Sequence, residues 1–326
     1  MLPSIYVIAC GGTIAGKGAS QEELIGYKAG EIGVQELIDA VPQLSDYARV
    51  TGEQFSNIDS GSMTEAMLIN LALRVQELVN RANVDGVVIT HGTDSMDETA
   101  YFLNLTVHTH KPIVIVGAMR PATAISADGP LNLLEAVRLA ACKEAGEYGV
   151  LQCMNSTICA ARFVEKTDTT HVQAFSGGKL GYVGVMQDGK PIFYQKPLRK
   201  HTFESEWQVE KGQVLPSVWI LYCHTGMSSD LITAAMRNGV QGLIMVGMGH
   251  GSIPKYLLPI LEKAREQGIV IIRSTRTHGG VVSMSPLWQG TLAADNLSPQ
   301  KARILLQLAL TKTTDPDKIQ QWFGEY

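Results

Sequence analysis

The sequence predicts an α/β protein made of two doubly wound domains, a larger N-terminal parallel-sheet domain and a smaller C-terminal α/β domain. Three observations carry that reading. Short β-branched runs recur along the chain as continuous apolar stretches, the pattern of strands covered on both faces. Segments with apolar residues at helical spacing fall between them. The pattern weakens once, between about residues 193 and 216, and then restarts.

Taken in order, residues 4–9, 86–90, 112–117 and 149–154 read as buried strands. Residues 64–81 place Met67, Leu68, Leu71, Ala72, Val75, Leu78 and Val79 on one helical stripe, and residues 128–144 do the same with Leu131, Leu134, Val137, Leu139 and Ala140. Pro197, the basic cluster Arg199-Lys200-His201 and a polar stretch through Gly212 hold little that would bury a face. The expected domains are therefore 1–197 and 216–326, joined by a linker at 198–215. In the second domain, strands are expected at 218–223, 242–246 and 269–274 and helices at 230–238 and 255–267. A closing helix at 299–313 carries Pro at its first turn.

The 326 residues include 27 Lys+Arg against 31 Asp+Glu, so there is no basic field for nucleic acid or an anionic membrane. No apolar run reaches the roughly 18 residues of a membrane helix. Met1-Leu2-Pro3-Ser4 runs straight into strand-like residues without the pattern of a secretory leader. Cys10, Cys142, Cys153, Cys159 and Cys223 are odd in number and show no CxxC spacing. Both features point to the cytoplasm, or to the periplasm if a leader has been trimmed.

Ligands of open parallel sheets gather beyond the carboxyl ends of the strands. After the first strand comes Cys10-Gly11-Gly12-Thr13-Ile14-Ala15-Gly16, after the next His91-Gly92-Thr93-Asp94, then Ala118-Met119-Arg120-Pro121. The glycines lack GxGxxG spacing and the Walker lysine–hydroxyl pair, and Gly247-Met248-Gly249-His250-Gly251-Ser252 has the wrong spacing for a dinucleotide loop. A hydroxyl nucleophile needs a base and oxyanion donors. Thr13 and Thr93 supply hydroxyls, Asp94 a carboxylate and Lys166 an amine, while Tyr27 lies in a Gly-rich segment. Each also has a plain structural reading: a strand-end threonine, a helix cap, a solvated lysine, a packed loop aromatic. Spacing alone does not show that they meet. His108 and His110 stand before Lys111-Pro112 without further ligand candidates, and no HExxH or Cys/His cluster exists, so no metal is expected.

Gly11-Gly12-Thr13-Ile14-Ala15-Gly16 together with Thr90-His91-Gly92-Thr93-Asp94 resembles the paired signature of the bacterial L-asparaginase/glutaminase family. Gly52-Glu53-Gln54 with Ser56-Asn57-Ile58, Gly117-Ala118-Met119-Arg120-Pro121 with Ser126-Ala127-Asp128-Gly129-Pro130, and residues 299–306 are similar to its type II branch. The resemblance spans nearly the whole chain. It implies hydrolysis of a side-chain amide to acid and ammonia through an acyl-enzyme, without a cofactor. It matches Thr13 to the nucleophile, Tyr27 to the loop tyrosine beside it, and Thr93 and Lys166 to a hydroxyl–lysine pair with Asp94 next to them. It further matches Ser60 to the holder of the substrate α-carboxylate, the backbone at Thr93 and Ala118 to the oxyanion region, and Ser252 to a position contributed to a neighbouring subunit's site. The implied assembly is a homotetramer, a dimer of intimate dimers. A lysine serves as base only with a depressed pKa, and whether Tyr27 or the Thr93–Lys166 pair activates Thr13 stays open at this stage.

Two departures stand out. Ser60 is followed by Gly61 where the family usually has Gln or Glu, and residues 279–290 contain no acid, with Leu287 or Trp288 about where a glutamate would lie. The ammonium site therefore looks reduced to Asp94, and two substrates are expected: asparagine, possibly glutamine, or a succinamate-like amide acid without a normal α-amino group. A non-catalytic binding module is the other class, opposed by the intact Thr13, Thr93, Asp94 and Lys166. Secreted relatives of this branch can carry a disulfide near residues 81 and 109; Arg81 and Thr109 stand there in this chain.

Overall fold

The computed structural model describes residues 1–326 except Ile25 and Tyr27. It divides into two compact units, Met1–Gln213 and Val214–Tyr326.

Among its described residues the first unit has ten strands: β1 (Ser4–Gly11), β2 (Arg49–Ile58), β3 (Gly86–Thr90), β4 (Ile113–Val116), β5 (Val150–Met154), β6 (Thr157–Ala160), β7 (Glu165–Lys166), β8 (Phe175–Ser176), β9 (Gly184–Gln187) and β10 (Lys190–Phe193). Eight of them form one sheet in the order β10-β9-β6-β5-β4-β3-β1-β2. From β5 to β2 every pairing is parallel, while β5–β6, β6–β9 and β9–β10 are antiparallel. The doubly wound reading holds, and the parallel sheet acquires an antiparallel flank. β7 and β8 form a separate ribbon.

Four helices accompany this sheet: α1 (Val34–Asp39), α2 (Glu65–Asn80), α3 (Met96–Thr106) and α4 (Gly129–Ala140). In α2 the Thr64 side chain accepts from the Met67 N–H, capping the helix. It buries Ile69, Leu71, Ala72, Val75, Leu78 and Val79, so the stripe is turned slightly from the expected one and Met67 and Leu68 are half-buried. In α4, Leu133 is buried and Leu131 is exposed. α3 has no sequence stripe because it is buried from Met96 to Thr106 apart from Glu98. Its polar residues are satisfied internally: Asn104 accepts from the Val150 N–H at 3.0 Å, and the Thr106 hydroxyl donates to the Phe102 carbonyl.

The stretch expected to be a linker, 198–215, is for the most part docked on the first unit. Trp207 is 1% exposed, Ser205 donates to the Leu105 carbonyl, and His108 Nε2 donates to the Trp207 carbonyl. His201, Thr202 and Val209 are buried as well. A few apolar side chains with matched backbone partners seal a segment whose composition is otherwise polar.

The second unit holds β11 (Val218–Tyr222), β12 (Gly242–Gly247), β13 (Val270–Thr275) and β14 (Leu292–Ala293), parallel throughout in that order. Its helices are α5 (Asp230–Arg237), α6 (Leu258–Glu266), α7 (Pro299–Leu310) and α8 (Pro316–Glu325). β14 and α8 are additions to the expected elements. No described helix is long and apolar enough to cross a membrane.

Candidate active site

The chain reverses direction across the sheet between β1 and β3: from β1 it moves outward to β2, then returns to the other side of β1 for β3. Such a switch point opens a crevice at the carboxyl ends of the two strands. Thr13 follows β1 and Thr93 follows β3. Sequence order and sheet order together therefore bring two distant threonines to one crevice.

The two loops approach as closely as glycine permits. Gly12 has φ +80°, and a Cβ there would lie 2.2 Å from the Gly92 Cα. Gly11, at φ +97°, would place a Cβ 2.5 Å from the Ile58 carbonyl oxygen. The Gly12 N–H donates to that carbonyl at 3.0 Å, which ties the end of β2 to the same place. Behind Gly92 lies Ser60, 3% exposed, whose Oγ accepts from the Asp94 N–H at 3.1 Å.

A cavity of about 750 Å³ opens here, lined by Thr13, Thr93, Asp94 and Lys166 among others. Thr13 and Thr93 are 8% and 5% exposed. Lys166 reaches in from the β7–β8 ribbon and donates to Thr93 Oγ1 at 2.9 Å and to Asp94 Oδ1 at 2.5 Å. Accepting from Lys166 leaves the Thr93 hydroxyl proton to donate into the cavity. The N–H groups of Thr93 and Ala118 have no hydrogen-bond partner among the described residues. The next two, Met119 and Arg120, each donate at 2.9 Å to the Asp128 carboxylate, which fixes the loop after β4. Thr169, Thr170, His171 and Val172 close another wall. Their turn is pinned by Asp168, whose carboxyl is held down at about 2, chiefly by the backbone N–H groups of His171 and Thr170.

His91, fully buried, organises the β3 loop from behind. Its Nδ1 donates to the Gly92 carbonyl at 2.7 Å, so its Nε2 accepts from Thr99 at 3.1 Å, and burial lowers its pKa to about 4.

Of the residues singled out in the sequence, Thr13, Thr93, Asp94 and Lys166 thus share one cavity, with Ser60 directly behind. Ala118 is buried beside the lining residues Met119 and Arg120. Gly61 is exposed and is not part of the lining. Tyr27 lies outside the described residues, while its neighbours Gly26 and Ala29 line the cavity. Ser252 belongs to the second unit, in a tight loop after β12 closed by the paired Met248 and Ser252 backbones. There Arg273, fully buried, donates to the His250 and Ser283 carbonyls and to Thr291. Trp288 packs against the core of that unit, and Leu287 is exposed. His108 and His110 serve different partners, the Trp207 carbonyl and the Phe203 ring.

Asp59 was missed from sequence. It too lines the cavity, beside Asp94. Its only sequence signal is its place next to Ser60; that it stands at the carboxyl end of a strand emerges from the fold. That strand, β2, was not expected because Arg49, Thr51, Glu53 and Gln54 make it a polar sheet edge.

Residues 4–199 match the family model "Asparaginase, N-terminal" and residues 217–323 match "Glutaminase/Asparaginase C-terminal domain". The chain belongs to the asparaginase family. This family of amidohydrolases includes the L-asparaginase 2 of Bacillus subtilis (strain 168), 45% identical over 100% of this chain and 87% of that protein. It also includes the glutaminase-asparaginase of Acinetobacter glutaminasificans, 47% identical over 99% of each. Among solved asparaginase structures, a probable cytoplasmic L-asparaginase from Campylobacter jejuni is 45% identical, with a TM-score of 0.96 over 99% of this chain and 100% of that one.

Proposed function

We propose that this asparaginase-family chain hydrolyses the side-chain amide of L-asparagine to L-aspartate and ammonia through an ester on Thr13. The observation that carries the reading is the meeting of Thr13, Thr93, Asp94 and Lys166 in one cavity at the switch point of the sheet. The named relatives act on asparagine, and one also on glutamine.

Thr13 Oγ attacks the carboxamide carbon as its proton passes to a base. The Thr93–Lys166 pair is the described group of the cavity able to take it with Lys166 as a neutral amine: Thr93 Oγ1 accepts the Thr13 proton as its own passes to Lys166 Nζ, while Nζ donates to Asp94. Charge on the carbonyl oxygen is met by the open N–H groups of Thr93 and Ala118. Breaking the C–N bond returns that proton to the leaving nitrogen and releases ammonia. Water, deprotonated by the same base, then attacks the ester, and Thr13 Oγ recovers its proton as aspartate leaves. Ser60, whose Oγ accepts from Asp94, has its hydroxyl proton left to donate to the substrate α-carboxylate. Two carboxylates facing the cavity favour a substrate with an ammonium group over a succinamate-like acid.

The same reading includes a homotetramer with Ser252 serving a neighbouring site, and a reducing compartment. All five cysteines are free, and Lys111 Nζ donates to the Arg81 carbonyl where a disulfide would otherwise lie nearby. A coupled assay of ammonia release with L-asparagine and L-glutamine tests the substrate. Turnover of asparagine is expected, and its absence at saturating substrate would remove the proposal.

A further inference from the structure

Asp59 and Asp94 are the two carboxylates in the cavity lining, and they are not equivalent. Asp94 is engaged by Lys166 at 2.5 Å. The Asp59 carboxylate has no hydrogen-bond or ion-pair partner among the described residues, and it does not cap the short turn that follows it. Its backbone alone is committed, the carbonyl accepting from the Ser62 N–H at 2.9 Å.

Gly61 is the near neighbour of this carboxylate. A Cβ added at Gly61 would lie 3.7 Å from Asp59 Oδ2, in van der Waals contact. The bare glycine and the acid two residues before it form one arrangement, which leaves a negative charge at the mouth of the cavity next to Ser60. The basic groups of the lining are Lys166, already paired, Arg120, whose Nη1 donates to the Ser126 carbonyl, and His171, which bonds Asp168. None of them is recorded as a partner of Asp59.

We propose that Asp59 binds the α-ammonium group of the amino-acid substrate and so sets the preference for amides that carry one. The assignment rests on the amidohydrolase reading given above and names its amine-recognising residue. A free carboxylate and a primary ammonium form a short charge-assisted hydrogen bond, strong enough to separate two substrates that differ only in the amine. Succinamate is such a partner for asparagine: it has the same carbon chain, amide and carboxylate and lacks the α-amino group.

The test is the kinetics of Asp59→Asn and Asp59→Glu against wild type, with L-asparagine and with succinamate, alongside thermal melts. For Asp59→Asn, KM for asparagine is expected to rise by about 10- to 100-fold, with a smaller change in kcat. Its kcat/KM for succinamate, which has no ammonium to lose, should not fall. Asp59→Glu should recover part of the loss with asparagine. Equal losses on both substrates, or no loss on either, would overturn the assignment and leave the amidohydrolase reading standing. So would a wild-type preference for succinamate. A wild-type protein that hydrolyses neither amide would overturn both.

Discussion

His91 shows how much of the site depends on a residue outside the cavity. Its neutral ring holds the Gly92 carbonyl on one side and the Thr99 hydroxyl on the other, and the loop bearing Thr93 and Asp94 is built over it. With a folded pKa of about 4, lowered from 6.5 by burial, the ring stays unprotonated where the unfolded chain takes up a proton. Stability contributed by this group is complete above pH 6.5 and is lost as pH falls toward 4, on the order of 3 kcal/mol in all. Replacing His91 with Gln should lower Tm at pH 7.5, yet flatten the fall in Tm between pH 6.5 and 4 relative to wild type. Parallel Tm curves would contradict this. Single residues were unevenly legible. Thr13, Thr93, Asp94 and Lys166 stand in recognisable strings, but their meeting depends on the switch point and on a two-residue strand, β7, that periodicity cannot show. Asp59 is an ordinary surface acid in sequence and becomes notable only through its place after β2 in the cavity lining.

At the scale of elements, the close contact of the loops after β1 and β3 is what the glycines serve. Gly12→Ala places a methyl group 2.2 Å from backbone that cannot yield and holds alanine at φ +80°. A loss of at least about 2 kcal/mol in urea unfolding is expected, with ammonia release largely gone. Gly33→Ala, where φ is −74° and nothing lies within 4 Å, should stay within about 0.5 kcal/mol of wild type. Similar losses at both positions would contradict the loop-contact reading, because Gly→Ala at a compatible φ lowers the entropy of the unfolded chain and does not itself destabilise. The buried parallel strands were legible because they are continuous apolar runs. α3 was not, being buried on nearly all sides. α8 had a usable signal in Asp315-Pro316 followed by Ile319, Trp322 and Phe323, all three buried, and the Asp315 side chain accepts from the Asp317 N–H.

For the whole molecule, the division into two α/β units was legible, while the edge of the first was obscured by composition. Trp207 and its neighbours belong to the first unit through backbone partners on α3 and at His108 that no sequence pattern announces. The homotetramer proposed above predicts that light scattering returns a mass of four 35.3 kDa chains. A monomer retaining full turnover would refute the shared site assigned to Ser252. The central claim is that the Thr13 hydroxyl performs the first chemical step. Its most direct test is ammonia release from L-asparagine by Thr13→Ala, with the fold verified by circular dichroism. The account predicts a fall of at least about 1,000-fold in kcat with an unchanged spectrum. Turnover within about ten-fold of wild type would contradict it.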